Sequence, residues 1–450
     1  MDLVIRGNRV VTPEGIRPAS VHIAGARIAR IAGYDEVAPS PTPMDSGEFL
    51  VMPGVIDTHV HVNEPGRTEW EGFNTATRAA AAGGVTTILD MPLNSIPATT
   101  TVAALEAKRQ AARGQTAVNV EFIGGVVPGN AGDLEGLRDA GVRAFKCFLA
   151  PSGVEEFPAV NESDLREAFP VLARLGLPLM VHAEDPARLA ARVGVTGSGE
   201  GSEGSGGHGT GASTHYADYL ASRPAEAERS AIELLVRLME WCPTPVHIVH
   251  LSSATSLDIV RSARARGLPI TVETCPHYLT FAAEEIPDGA TEYKCAPPIR
   301  AAAEREALWH ALIAGEIDLV ASDHSPCPPA MKVKHGDFFS AWGGISSLQL
   351  SLAAVWTGAR ARGVKPERIA EWMCAGPAEL AGLGDRKGAI AVGYDADIVT
   401  WDPDAGFVVE SAELLHRHKL TPYLGRELFG VVLESYVGGR RVFGRERRLS

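Results

Sequence analysis

Two histidines one residue apart, His59 and His61, are the first groups in this chain whose spacing suggests chemistry. On a strand, residues i and i+2 project to the same side, so both imidazoles can serve one metal site. The pair alone is weak grounds, because two histidines on one strand face are often only polar contacts. Four further residues strengthen it. Lys146 lies inside the apolar run Ala144-Phe145-Lys146-Cys147-Phe148. A buried ammonium is costly, and burial lowers its pKa. Such a lysine either reaches out to solvent or stays as a neutral amine, the form that can take up carbon dioxide as a carbamate. His182 and His250 stand near the ends of two more apolar runs, and Asp323 closes another, just ahead of His324-Ser325-Pro326. His247 has the opposite strand parity to His250, so both cannot face one site; His250, nearer the carboxyl end of its run, is assigned to the site and His247 to a structural role. Imidazole nitrogen and carboxylate oxygen are ordinary zinc ligands.

These residues are far apart in sequence, so separate elements must bring them together. From Val55 to about Ala361, short apolar runs alternate with amphipathic stretches. Strands are expected at 55–61, 86–91, 120–126, 144–149, 179–184, 246–252, 270–274 and 319–323, with helices between them, for example over 134–140 and 226–241. Eight βα units predict an α/β fold of the (β/α)8 TIM-barrel type, because closure leaves no unpaired edge. A doubly wound open sheet is the rival, but no glycine-rich phosphate fingerprint follows the first strand. In a barrel, the ends of strands one, four, five, six and eight deliver His59 and His61, Lys146, His182, His250 and Asp323 to one mouth. Both chain ends also read as strands, at 3–5, 9–11 and 20–23, then at 397–401, 431–437 and 441–443. A small β-sandwich domain built from both termini, residues 1–52 and 387–450, is therefore expected beside a barrel domain of residues 53–386. Residues 194–215 are rich in Gly and Ser and nearly devoid of apolar side chains. They read as a flexible surface loop, either a passive insertion or a lid.

Composition excludes other classes. Of 450 residues, 45% are hydrophobic and 22% charged, which suits a soluble globular protein with an ample core. The formal net charge of -13 disfavours nucleic acid as a partner. No apolar run of about 18 residues suggests a membrane span, and the start Met1-Asp2-Leu3-Val4-Ile5-Arg6 does not read as a signal peptide. The six cysteines form no CxxC pair, which fits a reducing, cytoplasmic setting.

The metal-compatible set, with Pro53-Gly54-Val55-Ile56-Asp57-Thr58-His59-Val60-His61 and the late Gly393-Tyr394-Asp395-Ala396-Asp397-Ile398-Val399, resembles the amidohydrolase superfamily. The likeness is to its cyclic-amidohydrolase branch of dihydroorotases, dihydropyrimidinases (hydantoinases) and allantoinases. It implies that His59, His61, Lys146 as a carbamate (N6-carboxylysine), His182, His250 and Asp323 hold two divalent ions, zinc by default. It also implies a homotetramer. Dihydroorotases usually carry an arginine where this chain has Asn63, and an arginine fork grips a carboxylate. Dihydropyrimidinases usually place a tyrosine shortly after the lysine, where this chain reads Cys147-Phe148-Leu149-Ala150-Pro151-Ser152-Gly153. The segments around Asn94, Ala296 and Ser325 resemble those of allantoinases. The implied reaction is ring opening of a neutral cyclic ureide, allantoin, by an activated hydroxide, with Asp323 moving the proton. Asn63, Asn94, Ala296 and Ser325 are the candidate substrate contacts. Another cyclic amide substrate is the alternative. A barrel kept only as a non-catalytic scaffold is disfavoured, because all six ligand positions are filled.

Overall fold

The structure is a computed structural model that describes residues 2–37, 43–193 and 212–445. Residues 194–211, most of the Gly/Ser-rich segment, lie outside the described residues.

Eight parallel strands follow one another in the expected order. They are β1 (Val55–Val60), β2 (Val85–Asp90), β3 (Asn119–Phe122), β4 (Phe145–Phe148), β5 (Leu179–His182), β6 (Val246–Ile248), β7 (Ile270–Thr274) and β8 (Leu319–Val320). The first three form one sheet; Gly124–Gly125, continuing β3, opens a second that runs through β4 to β8. Hydrogen bonds link the two sheets at both edges. Ile123 N donates to Asp90 O and Gly124 N to Ala144 O, while His61 N donates to His324 O at 2.9 Å beside a Val60–His324 bridge. β1, β2, β4 and β5 are buried along their whole length, which explains why none of them alternates apolar and polar residues as a strand with one wet face would. The strand alternation follows from sequence chemistry at the junctions. A Cβ on Gly54 would lie 2.2 Å from Thr86 Oγ1, so glycine is what lets β1 start this close to β2.

Helices cover the outside. The Ala225–Trp241 helix buries Ala227, Ala231, Leu235 and Leu238, spaced three to four residues apart, and leaves its other side wet.

Both termini join in one hydrogen-bonded sheet of eight strands. Leu50–Pro53 is its seam, parallel to Leu3–Thr12 and antiparallel to Ile398–Val408, with Val51 opposite Thr400. Residues of alternate parity face opposite ways. Ile5, Val21, Val51 and Ile398 share a small core of their own. Leu50, Met52, Val399 and Trp401 turn to the main core, where Trp401 meets Trp356 edge-on at 5.5 Å. The termini thus pack together as expected. The pairing is that of one continuous sheet and does not itself divide it into two layers of a sandwich. No helix among the described residues is long and apolar enough to cross a membrane.

Candidate metal centre

β1 carries His59, and His61 follows its last residue. β4 carries Lys146, and β5 ends on His182. His250 and Asp323 stand just beyond β6 and β8, with φ of +41° and +45°. Non-glycine residues seldom adopt this left-handed backbone, and it clusters at functional sites. Asp57 ties the first strand to the last, because its Oδ1 accepts from His59 N and Ser322 N, each at 3.1 Å.

Five of the six residues fall into two neighbouring groups. His59 Nε2 and His61 Nε2 lie 3.3 and 3.5 Å from Asp323 Oδ1. His182 Nδ1 lies 3.0 Å from His250 Nε2. The His59 and His250 rings are 5.4 Å apart and join the groups. Lys146 Nζ is fully buried with no hydrogen-bond partner among the described residues. It sits 4.6 Å from the centre of the Phe148 ring, which in turn stacks on His182.

Outer partners fix the ring hydrogens. Glu273 Oε1 lies 2.6 Å from His59 Nδ1, and Glu184 Oε2 lies 2.8 Å from His182 Nε2. An ionised carboxylate only accepts, so those nitrogens carry the hydrogens. His59 Nε2 and His182 Nδ1 are left with lone pairs facing the cluster. Burial pushes the pKa values of His61, His182 and His250 down, which keeps these imidazoles neutral. Burial alone would raise the Asp323 carboxyl, but His59 and His61 hold it well below the usual carboxylate range. Burial lowers Lys146 to about 8. Neutral ring nitrogens, a carboxylate and an unsatisfied buried amine are the donor chemistry of a divalent cation site. The donor atoms of His59, His61 and Asp323 all lie within 4.8 Å of one another, close enough for one ion. The residues present fit the group expected of them.

The cluster opens onto a cavity of about 830 Å³, walled also by Asn94, Ala296, Ser325, Arg223, Lys294 and Trp342. Three of the four expected substrate contacts are therefore on the wall. Asn63 stands behind it: its Nδ2 donates to Pro326 O at 3.4 Å, and its Oδ1 accepts from Asn94 Nδ2 at 2.9 Å. Its role in the structure is to hold Asn94.

Residues 50–442 match the model of the amidohydrolase family. The allantoinase of Streptomyces avermitilis is 49% identical over 98% of this chain and 95% of its own length. The allantoinase of Arabidopsis thaliana is 44% identical over 99% and 89%. The chain belongs to the amidohydrolase family. Among solved structures, the L-hydantoinase (dihydropyrimidinase) of Arthrobacter aurescens superposes with a TM-score of 0.90 at 30% identity, covering all of this chain and 97% of that one.

Three residues that hold this amidohydrolase's centre together escape a reading by motif. Glu273, fully buried on β7, holds His59 and also His247, whose Nε2 lies 3.0 Å from Glu273 Oε2. That second bond accounts for His247 as a structural residue. Burial alone would raise the Glu273 carboxyl; His59 and His247 bring it down to about 2. Glu184 holds His182, and Arg223 holds Glu184. For Glu273 the available signal was a charged residue inside a buried strand, the same anomaly that drew attention to Lys146.

Proposed function

We propose that this protein hydrolyses one ring amide of allantoin, opening the hydantoin ring to give allantoate, on two divalent ions at the mouth of a (β/α)8 barrel. The observation that carries the reading is the meeting of two imidazole pairs and Asp323 around a buried lysine whose nitrogen has no hydrogen-bond partner among the described residues. The full-length relation to curated allantoinases supports the choice of substrate.

His59, His61 and Asp323 would hold one ion and His182 and His250 the other, with Lys146 serving both as a carbamate. Lys146 reaches that form as the neutral amine: its nitrogen bonds to the carbon of carbon dioxide and releases one proton. Zinc is the default for this nitrogen and oxygen set. When bound, the ions supply Lewis acidity for the carbonyl and lower the pKa of water. The chain's own groups do the rest. Glu273 and Glu184 keep two imidazoles in the right tautomer. Asp323 accepts the proton of the attacking water at a carboxylate oxygen and returns it to the departing ring nitrogen. Asn94, backed by Asn63, offers a neutral amide to a substrate without a carboxylate; Ser325 and the backbone at Ala296 stand on the same cavity wall. Residues 53–386 make the barrel domain, and 1–52 with 387–450 make the β domain. Free cysteines suit a cytoplasmic enzyme, and family likeness suggests a homotetramer.

The test is a substrate panel of allantoin, hydantoin, dihydrouracil and dihydroorotate, with divalent metal measured on the same sample. Preferential turnover of allantoin is expected. The fold likeness to hydantoinases makes preferential turnover of hydantoin or dihydrouracil the outcome that would replace this reading.

A further inference from the structure

We infer that Glu184 and Arg223 are positioning residues that hold His182 ready for a metal ion. Glu184 Oε2 takes the hydrogen of His182 Nε2 at 2.8 Å. Arg223 grips the same carboxylate with two donors: Nε reaches Glu184 Oε1 at 3.1 Å, and a second nitrogen reaches Oε2. The run continues behind them. Arg300 donates to Arg223 O at 3.2 Å and to Glu228 Oε2 at 2.6 Å. Glu228 accepts from Ser252 N at 3.0 Å and Ser252 Oγ at 2.6 Å, two residues past His250. One line of charged side chains, buried except at the partly exposed Arg223, therefore starts on His182 and ends beside His250, the two imidazoles that face each other at 3.0 Å.

Desolvating four charges is expensive, and apolar residues of similar volume usually stabilise a fold at least as well. A carboxylate is needed where an imidazole hydrogen must be held in one place. The Arg223 fork prevents that carboxylate from turning, which a lysine cannot do as well. Arg223 comes from the end of the Tyr216–Ser222 helix and also stands on the cavity wall.

This inference rests on the metal-dependent reading above. Its test reads metal retention without substrate, so an error in the choice of allantoin would leave it untouched. The metal-loaded protein and its variants Glu184→Gln, Arg223→Met and Arg223→Lys are titrated with a competing chelator. Glu184→Gln and Arg223→Met are expected to hold at least one ion about 10- to 100-fold more weakly. Their kcat should fall with little change in KM. Arg223→Lys should recover part of both losses, and it stands in for Arg223→Met if that variant does not fold. Unchanged metal retention in folded Glu184→Gln and Arg223→Lys, with only a lowered melting temperature, would overturn the inference.

Discussion

Glu273 Oε1 lies 2.6 Å from His59 Nδ1, although 214 positions separate them in the chain. The carboxylate is fully buried and holds His247 with its other oxygen. It orients the first imidazole of the centre without facing the reacting atoms. Glu273→Gln keeps the shape and removes the charge. It should weaken metal retention or lower kcat by about 10- to 100-fold. Chelator competition and steady-state turnover on one preparation measure both.

Lys146→Arg keeps a cation in the strand but cannot become a carbamate. Activity is expected to fall about 10³-fold, equivalent to losing several kcal/mol of transition-state stabilisation. Intact-mass measurement under native conditions should find one added carboxyl group on the unaltered protein and none on the variant. An unaltered protein that is fully active without that added mass would count against the carbamate.

Asp323→Asn retains an oxygen but loses the proton acceptor. The expected loss in kcat is about 10²- to 10⁴-fold, the usual worth of a positioned acid or base. Metal content should fall less than turnover does. Parallel loss of both would assign Asp323 to binding alone.

Burial first, then Lys332, pushes the Lys294 ammonium down to about 7. An exposed lysine titrates near about 10.4. Between those values the unfolded chain binds the proton more tightly than the folded one, so this group's cost shrinks as pH rises. Relative to Lys294→Met, the unaltered protein should be least favoured below about pH 7 and should catch up toward about pH 10. Melting curves of both proteins across that range check the sign.

Trp401 belongs to the terminal sheet but packs into the main core against Trp356. Trp401→Ala should cost about 3–5 kcal/mol in chemical denaturation. A loss of well under 1 kcal/mol would mean that the sheet adds little to the rest of the fold.

The parallel strands were legible because each is an apolar run bounded by turns, and the chain repeats that unit eight times. The metal-compatible residues drew attention because most of them fall at or near the ends of such runs, and Lys146 because it stands inside one. Parity showed that His247 and His250 could not both face the site, and nearness to the carboxyl end of the run chose His250. Asn63 was harder: its residue type suits a ureide, but the sequence does not say which of two asparagines faces the cavity and which stands behind. Glu273, Glu184 and Arg223 were not legible as a set. Each acts through a partner brought near only by the fold, and a carboxylate serving an imidazole has the same letter as one facing water. The single sheet at the termini was readable as strands, but its seam at Leu50–Pro53 depends on pairings with residues hundreds of positions away.

That seam has a consequence for synthesis on the ribosome. The Leu50–Pro53 strand finds its second neighbour only after residues beyond 398 have been made. Until then the growing chain carries an open, apolar backbone edge, the kind that pairs readily with other chains. The edge that this strand presents is closed late in synthesis, when the segment from Ile398 pairs with it.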